Sequence, residues 1–351
     1  MRNLPVWLAA LAIAASGGAV AAWIGTPLPW LLGAMVSTAV ATMAGLKIGG
    51  QPLDFPQPVR HAFITVIGVA IGGAATEDMW GEIWAWWPSL VAVLVFVAVA
   101  QTANYQIFRR IAGYDRPTAF YAATPGGLIE SVQLGEEAGG DPVLLTVQHF
   151  ARITLTVSIV PLLYWAMRGE AVGSAAGVSL QGEPISSLAD VFVLVACAAL
   201  GGWGGRRLGI PAAIITGPIL LSMLAHGTGM TDAKIPDWAI ALAQLVVGLG
   251  LAARFQGMGR DLLLQGIGYG AVTVTVMLMI AAGISWAVWE VGGKPFQILF
   301  MAYAPGGVVE MGLIALSLGA SPVMVTLHHI VRILCTVLLV PIVGRWVIRD
   351  P

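Results

Sequence analysis

Two arginines of this chain lie deep inside apolar stretches, where a charged side chain is costly. Four side chains around the first follow one another at steps of 3, 3 and 4 and so share one helix face: Thr146, His149, Arg152 and Thr156. The same set recurs later, as Thr326, His329, Arg332 and Thr336. An arginine at membrane depth costs about 3 kcal/mol or more, so it must face protein or water and needs an anionic partner.

A Pro-Gly-Gly sequence followed by a glutamate stands upstream of each arginine. The two copies are Pro125, Gly126 and Gly127 before Glu130, and Pro305, Gly306 and Gly307 before Glu310. Proline removes a helix hydrogen bond and glycine loosens the next turn, so we expect a broken or re-entrant segment at each copy. The backbone amides that such a break frees could cradle an anion, as helix N-termini do.

The two glutamates are the obvious partners of the two arginines, and this pairing has two interpretations. In the first, each Glu–Arg ion pair is structural and locks the broken segment to the next helix. In the second, the pairs form a substrate site, in which each arginine is shared between its glutamate and a substrate carboxylate while the histidine takes or releases a proton.

The composition fixes the environment of these residues. Of the 351 residues, 58% are hydrophobic and only 10% are charged, with a mean hydropathy of +0.86, whereas soluble domains carry about 25% charged residues. The chain is therefore expected to be an all-α polytopic membrane protein whose immediate partner is the lipid bilayer. A net charge of −1 without a basic tract gives no case for nucleic-acid binding.

A metal site or another cofactor is not expected. Cys197 and Cys335 are the only cysteines, and both lie in apolar stretches. His328 and His329 are consecutive and point about 100° apart on a helix. With His61 and His226 they give no compact set of ligands.

The sequence contains a duplication. At an offset of 180, 15 of the 37 positions from 125 to 161 are identical to their counterparts, and an offset of 184 aligns Gly17-Gly18 with Gly201-Gly202. Because the match spans nearly the whole chain, we predict a first membrane repeat over residues 1–167, a linker over 168–187 and a second repeat over 188–351.

Charges in equivalent loops indicate that the two repeats cross the membrane in opposite directions. Arg206 and Arg207 follow the first apolar segment of the second repeat, whereas the equivalent residues 22–27 contain no basic residue. Such a swap favours inverted repeats with both termini in the cytoplasm. Inversion requires an odd number of crossings in each repeat, which predicts about 10 transmembrane helices plus the two Pro-Gly-Gly segments.

The paired motif, Pro-Gly-Gly-x-x-Glu followed by x-Pro-Val, Thr-x-x-His-x-x-Arg and a closing Val-Pro, resembles the membrane AbrB family over essentially all 351 residues. The name is shared with a small DNA-binding regulator, which is a different protein. The resemblance implies a bacterial inner-membrane protein with a link to control of gene expression, and no established substrate. Gln148 stands in place of the first histidine of the His-His pair, so the two half-sites are chemically unequal.

Inverted repeats, broken segments and buried Glu, His and Arg together predict a secondary transporter rather than an enzyme. We expect it to carry a small, carboxylate-type anion, coupled to H⁺ or Na⁺, through a site where the repeats meet. Two other classes stay open: a membrane regulator that affects gene expression indirectly, and a metal-dependent monooxygenase, as a label used for the family suggests. The sequence leaves the oligomeric state open, a homo-oligomer included.

Overall fold

A computed structural model describes residues 3–168, 182–253, 258–291, 294–318 and 320–349; most of the predicted linker, 169–181, lies outside these ranges. The described chain is all-α apart from two short antiparallel strands, β1 (Lys47–Ile48) and β2 (Gln51–Pro52). The helices of the first repeat are α1 (Leu4–Ile24), α2 (Pro29–Met43), α3 (Gln57–Gly72), α4 (Met79–Ile83), α5 (Trp87–Arg110), α6 (Arg116–Ala122), α7 (Leu128–Glu137) and α8 (Pro142–Arg168). Those of the second are α9 (Leu188–Arg207), α10 (Ala213–Gly227), α11 (Asp237–Ala252), α12 (Arg260–Glu290), α13 (Phe296–Tyr303), α14 (Val308–Ser317) and α15 (Pro322–Arg349).

The helix boundaries follow the duplication seen in the sequence. Helices α3 and α11 begin and end 180 residues apart, as do α7 and α14, and α2 and α10 are 184 residues apart. Even an unusual backbone conformation is repeated, because Leu28 and Ala212, again 184 residues apart, both have positive φ angles, of 45° and 51°. Apart from β1, β2 and the short helix α4, the described elements of the two repeats therefore follow in the same order.

Within the described residues, six helices are long and apolar enough to cross a membrane: Leu4–Ile24, Met79–Arg110, Pro142–Met167, Leu188–Arg207, Arg260–Glu290 and Pro322–Ile348. Shorter apolar helices of 10 to 17 residues accompany them, among them α2, α10, α11 and α14. The chain is thus an all-α, multi-pass membrane protein. Both Pro-Gly-Gly segments are broken, since α6 and α7, and likewise α13 and α14, are separate short helices.

The chain divides into two compact units, and each unit takes helices from both repeats. The first unit comprises residues 1–81, 158–257 and 312–323. In it α1 packs on α2, and α9 on α10, at glycines: a Cβ at Gly17 would collide with the carbonyl of Gly33, and one at Gly201 with the backbone of Gly217. Such close approach at small residues is how membrane helices associate.

The second unit comprises residues 82–157, 258–311 and 324–351 and contains both breaks. Helix α5 packs against α6, α12 and α13. One of its cores is aromatic and includes Phe108, Tyr114, Phe120 and Tyr121, to which Val340 of α15 adds. This core surrounds the end of α6, and so positions the first break.

Candidate functional site

The first break is bounded by helix signals that are visible in the sequence. Helix α6 ends at Ala122, and Gly127, with φ of 59°, precedes the first residue of α7. After α7, a carboxylate oxygen of Asp141 accepts hydrogen bonds from the amides of Val143 and Leu144, at 2.8 and 3.1 Å. This N-cap starts α8 at Pro142, as the Asp-Pro pair predicts.

Arg152 of α8 binds the backbone at the end of the first half-helix. Its Nη1 donates to the carbonyl of Thr124, and Nε2 of His149 donates to the carbonyl of Tyr121 at 3.1 Å. The last carbonyls of a helix lack intrahelical partners and form its negative end. The arginine and the histidine therefore both donate to backbone carbonyls at the first break.

Arg332 of α15 makes the equivalent contacts at the second break, and makes more of them. Its Nη1 donates to the carbonyl of Ala304, and its Nη2 donates to that of Gly306 at 2.6 Å. His329 differs from its counterpart, because its Nδ1 donates to Val325 of its own helix at 2.9 Å. Both guanidinium groups are almost completely buried, with 4% of Arg152 and 2% of Arg332 exposed.

The structure adds backbone carbonyls to the partners that the sequence offers the two arginines. The sequence offers Glu130 and Glu310 as partners of the arginines, whereas both guanidinium groups bind backbone carbonyls. Glu130 is half-buried in the first turn of α7, with its carboxylate close to Gly127, and Glu310 is buried in the first turn of α14, folded over Gly307. A carboxylate is stabilised at the positive end of a helix, so each glutamate lies where its own half-helix favours it.

The two breaks come together in this unit. A Cβ built on Gly126 would lie 3.1 Å from Oγ1 of Thr336 and 3.6 Å from Nε of Arg332, so the first break touches the helix of the second repeat. A Cβ built on Gly306 would lie 3.4 Å from Cγ2 of Thr156, which is the converse contact. The charges of Arg152 and Arg332 also interact with each other. Two like charges are thus buried near each other.

The other predicted site residues take different places. Pro125 and Pro305 are buried within the breaks. Thr146 is half-buried and donates its hydroxyl to Pro142 of its own helix at 2.6 Å, whereas Thr326 is buried. Thr156 is buried beside the second break, and the hydroxyl of Thr336 donates to the carbonyl of Arg332 at 2.9 Å.

Two further polar contacts brace the breaks, and sequence reasoning missed both. The hydroxyls of Thr124 and Ser131 are hydrogen-bonded at 2.8 Å across the first break. Tyr303, the last residue of α13, donates its hydroxyl to the carbonyl of Ser89 at 2.9 Å. The partners are separated by 7 and 214 positions, and no regular spacing in the sequence marks the second pair.

Fold and site together define a class: a multi-pass membrane protein with two broken helices whose ends are bound by buried arginines. The sequence model of one family, described as "Transition state regulatory protein AbrB", matches residues 30–348, and the chain belongs to this AbrB family. It is 20% identical to "Putative regulator AbrB" of Escherichia coli (strain K12), over 92% of this chain and 90% of that protein. It is 22% identical to "Uncharacterized protein YhjN" of Bacillus subtilis (strain 168), over 94% and 90%.

Proposed function

We propose that this protein is a secondary transporter of a small organic anion of the carboxylate class, coupled to H⁺ or Na⁺. The observation that carries the proposal is the pair of buried, interacting guanidinium groups, Arg152 and Arg332, each bound to the carbonyls of a broken helix. Two cations near each other in a medium of low dielectric constant repel strongly. An anion placed between them would relieve that repulsion.

The chemistry of the two groups favours a carboxylate. A guanidinium presents a planar fork of N–H donors that matches the two oxygens of a carboxylate. The buried Nε of Arg152 and Nε of Arg332 have no hydrogen-bond partner within the described protein, and a bound carboxylate would supply an acceptor to each. Transporters built from inverted repeats bind their substrates at such discontinuous helices, near the middle of the membrane.

Transport is tested with the full chain in liposomes, using radiolabelled lactate, succinate and citrate under imposed pH and Na⁺ gradients. We expect uptake of at least one anion, and its loss in Arg152→Ala and in Arg332→Ala. Arg207→Ala is the matched control, because Arg207 is an exposed arginine that stacks on Trp203 in the first unit. The proposal is wrong if the folded wild-type protein moves none of the three anions under either gradient.

The proposed transporter lies in the bacterial inner membrane, with inverted repeats and both termini in the cytoplasm. The swapped charges of equivalent loops support this orientation. Reporter fusions that are active on one side of the membrane only, placed after residue 75 and after residue 255, test it. Inverted repeats require these fusions to report opposite sides, since residues 75 and 255 are equivalent positions at an offset of 180.

A regulatory function is the second candidate, because the family description and the name of the Escherichia coli relative both refer to regulation. A membrane regulator would act through a partner protein or by changing the level of a metabolite. Deletion in the native bacterium discriminates between the two functions. If an Arg332→Ala protein that no longer transports still restores the deleted strain's pattern of gene expression, regulation does not depend on transport.

A further inference from the structure

The second break is flanked by a buried cluster of an imidazole and two hydroxyl groups. Nε2 of His328 lies 2.9 Å from Oγ of Ser89, and its Nδ1 lies 2.8 Å from the carbonyl of Met324. Oγ of Ser89 is also 2.8 Å from the carbonyl of Trp86. The hydroxyl of Tyr303 donates to the carbonyl of Ser89, and its ring packs edge-on against His328. No side chain of this cluster is more than 5% exposed.

Counting hydrogens shows that the cluster has room for one more proton. A carbonyl only accepts, so the hydrogen of a neutral His328 must be on Nδ1, facing Met324. Nε2 then accepts the single hydroxyl hydrogen of Ser89, and the contact between Ser89 and the carbonyl of Trp86 has no hydrogen. If His328 is protonated, Nε2 donates to Ser89 and Ser89 donates to Trp86. Every contact in the cluster then has exactly one hydrogen.

A cavity lies beside this cluster, with Ser89 in its wall. It has a volume of about 70 Å³ and is lined by Trp86, Ser89 and Lys294 among others. Lys294 forms a salt bridge of 2.6 Å with Glu82, and the two side chains are 38% and 55% exposed. The buried Nε1 of Trp86 has no acceptor within the described protein. The cavity is large enough for water molecules, and Trp86, Ser89 and Lys294 are the residues with polar side chains in a lining that is otherwise apolar.

We propose that His328 is the proton-binding residue of this protein and that it is loaded from the Lys294 cavity through the hydroxyl of Ser89. A hydronium ion in the cavity gives a proton to Oγ of Ser89 as the hydroxyl hydrogen of Ser89 passes to Nε2. The products are a neutral water and an imidazolium, and the new hydroxyl hydrogen of Ser89 turns to the carbonyl of Trp86. This inference rests on the proposed transport function and names H⁺ as its coupling ion.

The groups around His328 explain how the proton would act on the anion. The titratable or charged groups nearest to it are Tyr303 of α13, together with His329 and Arg332 further along its own helix; Lys294 and Glu82 stand at the far end of the cavity. A charge on His328 adds to that of Arg332, which binds the carbonyl of Ala304, the residue next to Tyr303. The added positive charge strengthens anion binding, and by linkage the bound anion strengthens proton binding. The proton and the anion are then carried together.

The first repeat has no equivalent cluster. Gln148 occupies the position of His328, and Tyr269 and Ala123 occupy those of Ser89 and Tyr303. The amide of Gln148 donates to the hydroxyl of Tyr114 at 2.8 Å, and neither group takes up a proton near neutral pH. Among the described residues this arrangement is thus found at the second break alone, where His328 and Tyr303 of the second repeat meet Ser89 of the first.

Solid-state NMR of the full chain in lipid bilayers, labelled with ¹⁵N-histidine, tests the site directly. Between pH 8 and pH 4 we expect one imidazole, absent from His328→Gln, to change from a neutral form protonated at Nδ1 to an imidazolium. Ser89→Ala removes one acceptor of the imidazolium and should lower its proton affinity about tenfold or more, because hydrogen bonds to charged groups are strong. Ser89→Thr, which retains the hydroxyl, should keep the proton affinity of the imidazole close to that in the wild type.

The control is His226→Gln, which removes another buried imidazole, one whose Nε2 faces the carbonyl of Ala233 in the first unit. This change should leave the titration of His328 unaltered. The proposal is overturned if the His328 signal stays neutral down to pH 4, or if Ser89→Ala does not shift its titration. Because no solute is added, neither outcome depends on the transport function.

Uptake of succinate into liposomes separates the two proposals. One proton carried per succinate moves a net negative charge, so with the membrane potential held at zero it gives about tenfold accumulation across a gradient of one pH unit. We expect His328→Gln to lose this accumulation while exchanging internal for external succinate at a measurable rate. Undiminished accumulation in His328→Gln overturns the proton site and leaves transport standing. Absence of both activities in the wild type, for lactate and citrate as well as for succinate, overturns transport.

Discussion

The two breaks of the second unit descend from one sequence, yet they differ in what surrounds their arginines. At the first break Arg152 binds one carbonyl, and two uncharged hydrogen-bonded pairs lie nearby, Thr124 with Ser131 and Gln148 with Tyr114. At the second break Arg332 binds two carbonyls, and His328 lies one turn away, bound to Ser89. Both copies have thus kept a guanidinium group and a buried imidazole, His149 or His329, while among the described residues only the second break adds an imidazole bound to a serine hydroxyl.

This difference separates the function that both breaks share from the function that only the second break has. Both breaks retain an arginine bound to the carbonyls of the broken helix. This arginine positions a positive charge and donates hydrogen bonds to carbonyls that lack a partner within the helix. What the second break adds is the buried cluster of His328, Ser89 and Tyr303. We therefore expect anion binding to depend on both copies and proton coupling to depend on the second.

The largest effect is expected from changing the arginines to lysine. Arg332→Lys keeps a positive charge but removes the fork that reaches the carbonyls of both Ala304 and Gly306. A lost hydrogen bond to a charged group costs about 1.5 to 3 kcal/mol, so Arg332→Lys should reduce anion uptake by about tenfold more than Arg152→Lys, which loses one such bond. Uptake of the panel anions into liposomes, with the amount of folded protein matched, measures the ratio. Equal losses would show that the second carbonyl contact is unimportant.

A smaller effect is expected from closing the breaks with a methyl group. A Cβ at Gly306 would collide with the fully buried side chain of Met311, whereas a Cβ at Gly126 comes no closer than 3.1 Å to Thr336. Overpacking of this kind costs about 1 to 3 kcal/mol, so Gly306→Ala should lower the free energy of unfolding more than Gly126→Ala. Reversible unfolding in mixed detergent micelles measures both.

The first repeat also supplies the control for this change. Ser131 stands where the second repeat has Met311, and Met311→Ser should therefore relieve the collision at Gly306. The double variant, Gly306→Ala with Met311→Ser, should recover part of the lost free energy of unfolding, so that the effects of the two changes are not additive. If the two changes are simply additive, the collision with Met311 is not the cause of the destabilisation.

Much of the fold could be predicted from the sequence because its signals are local. Apolar composition gives membrane helices, and the Pro-Gly-Gly sequences give the breaks between α6 and α7 and between α13 and α14. Asp141 before Pro142 gives the start of α8. The offsets of 180 and 184 give the correspondence between the repeats.

The partners within the site could not be predicted in the same way. Opposite charges drew attention to Glu130 as the partner of Arg152, but a carbonyl freed by a broken helix is an equally good acceptor and carries no sequence signal. The contact of His328 with Ser89 joins residues 239 positions apart, and no regular spacing marks it. The interleaving of the repeats in two compact units is a product of packing, which the order of helices along the chain does not specify.

The smallest effect is expected at the neutral pair of the first break, where Tyr114→Phe removes the acceptor of the Gln148 amide. The loss of one buried, uncharged hydrogen bond should lower the free energy of unfolding by about 1 kcal/mol at neutral pH. Tyr114 is in the loop between α5 and α6, and burial raises the pKa of its hydroxyl above the ordinary value. Above pH 10 or so the unfolded chain releases this proton while the folded chain retains it, so the wild type loses stability with rising pH.

Tyr114→Phe cannot lose stability in this way, and its disadvantage should therefore shrink as the pH rises from 8 to 11. Reversible unfolding at several pH values measures the difference between the two proteins. Tyr105→Phe, which keeps an aromatic ring against Phe120, is the control. Its free energy of unfolding should change with pH in the same way as that of the wild type. A constant difference between wild type and Tyr114→Phe would mean that Tyr114 titrates alike in the folded and the unfolded chain. The contrast with His328 would still stand, because a phenol near neutral pH retains its proton with or without a bound anion, whereas an imidazole can exchange one.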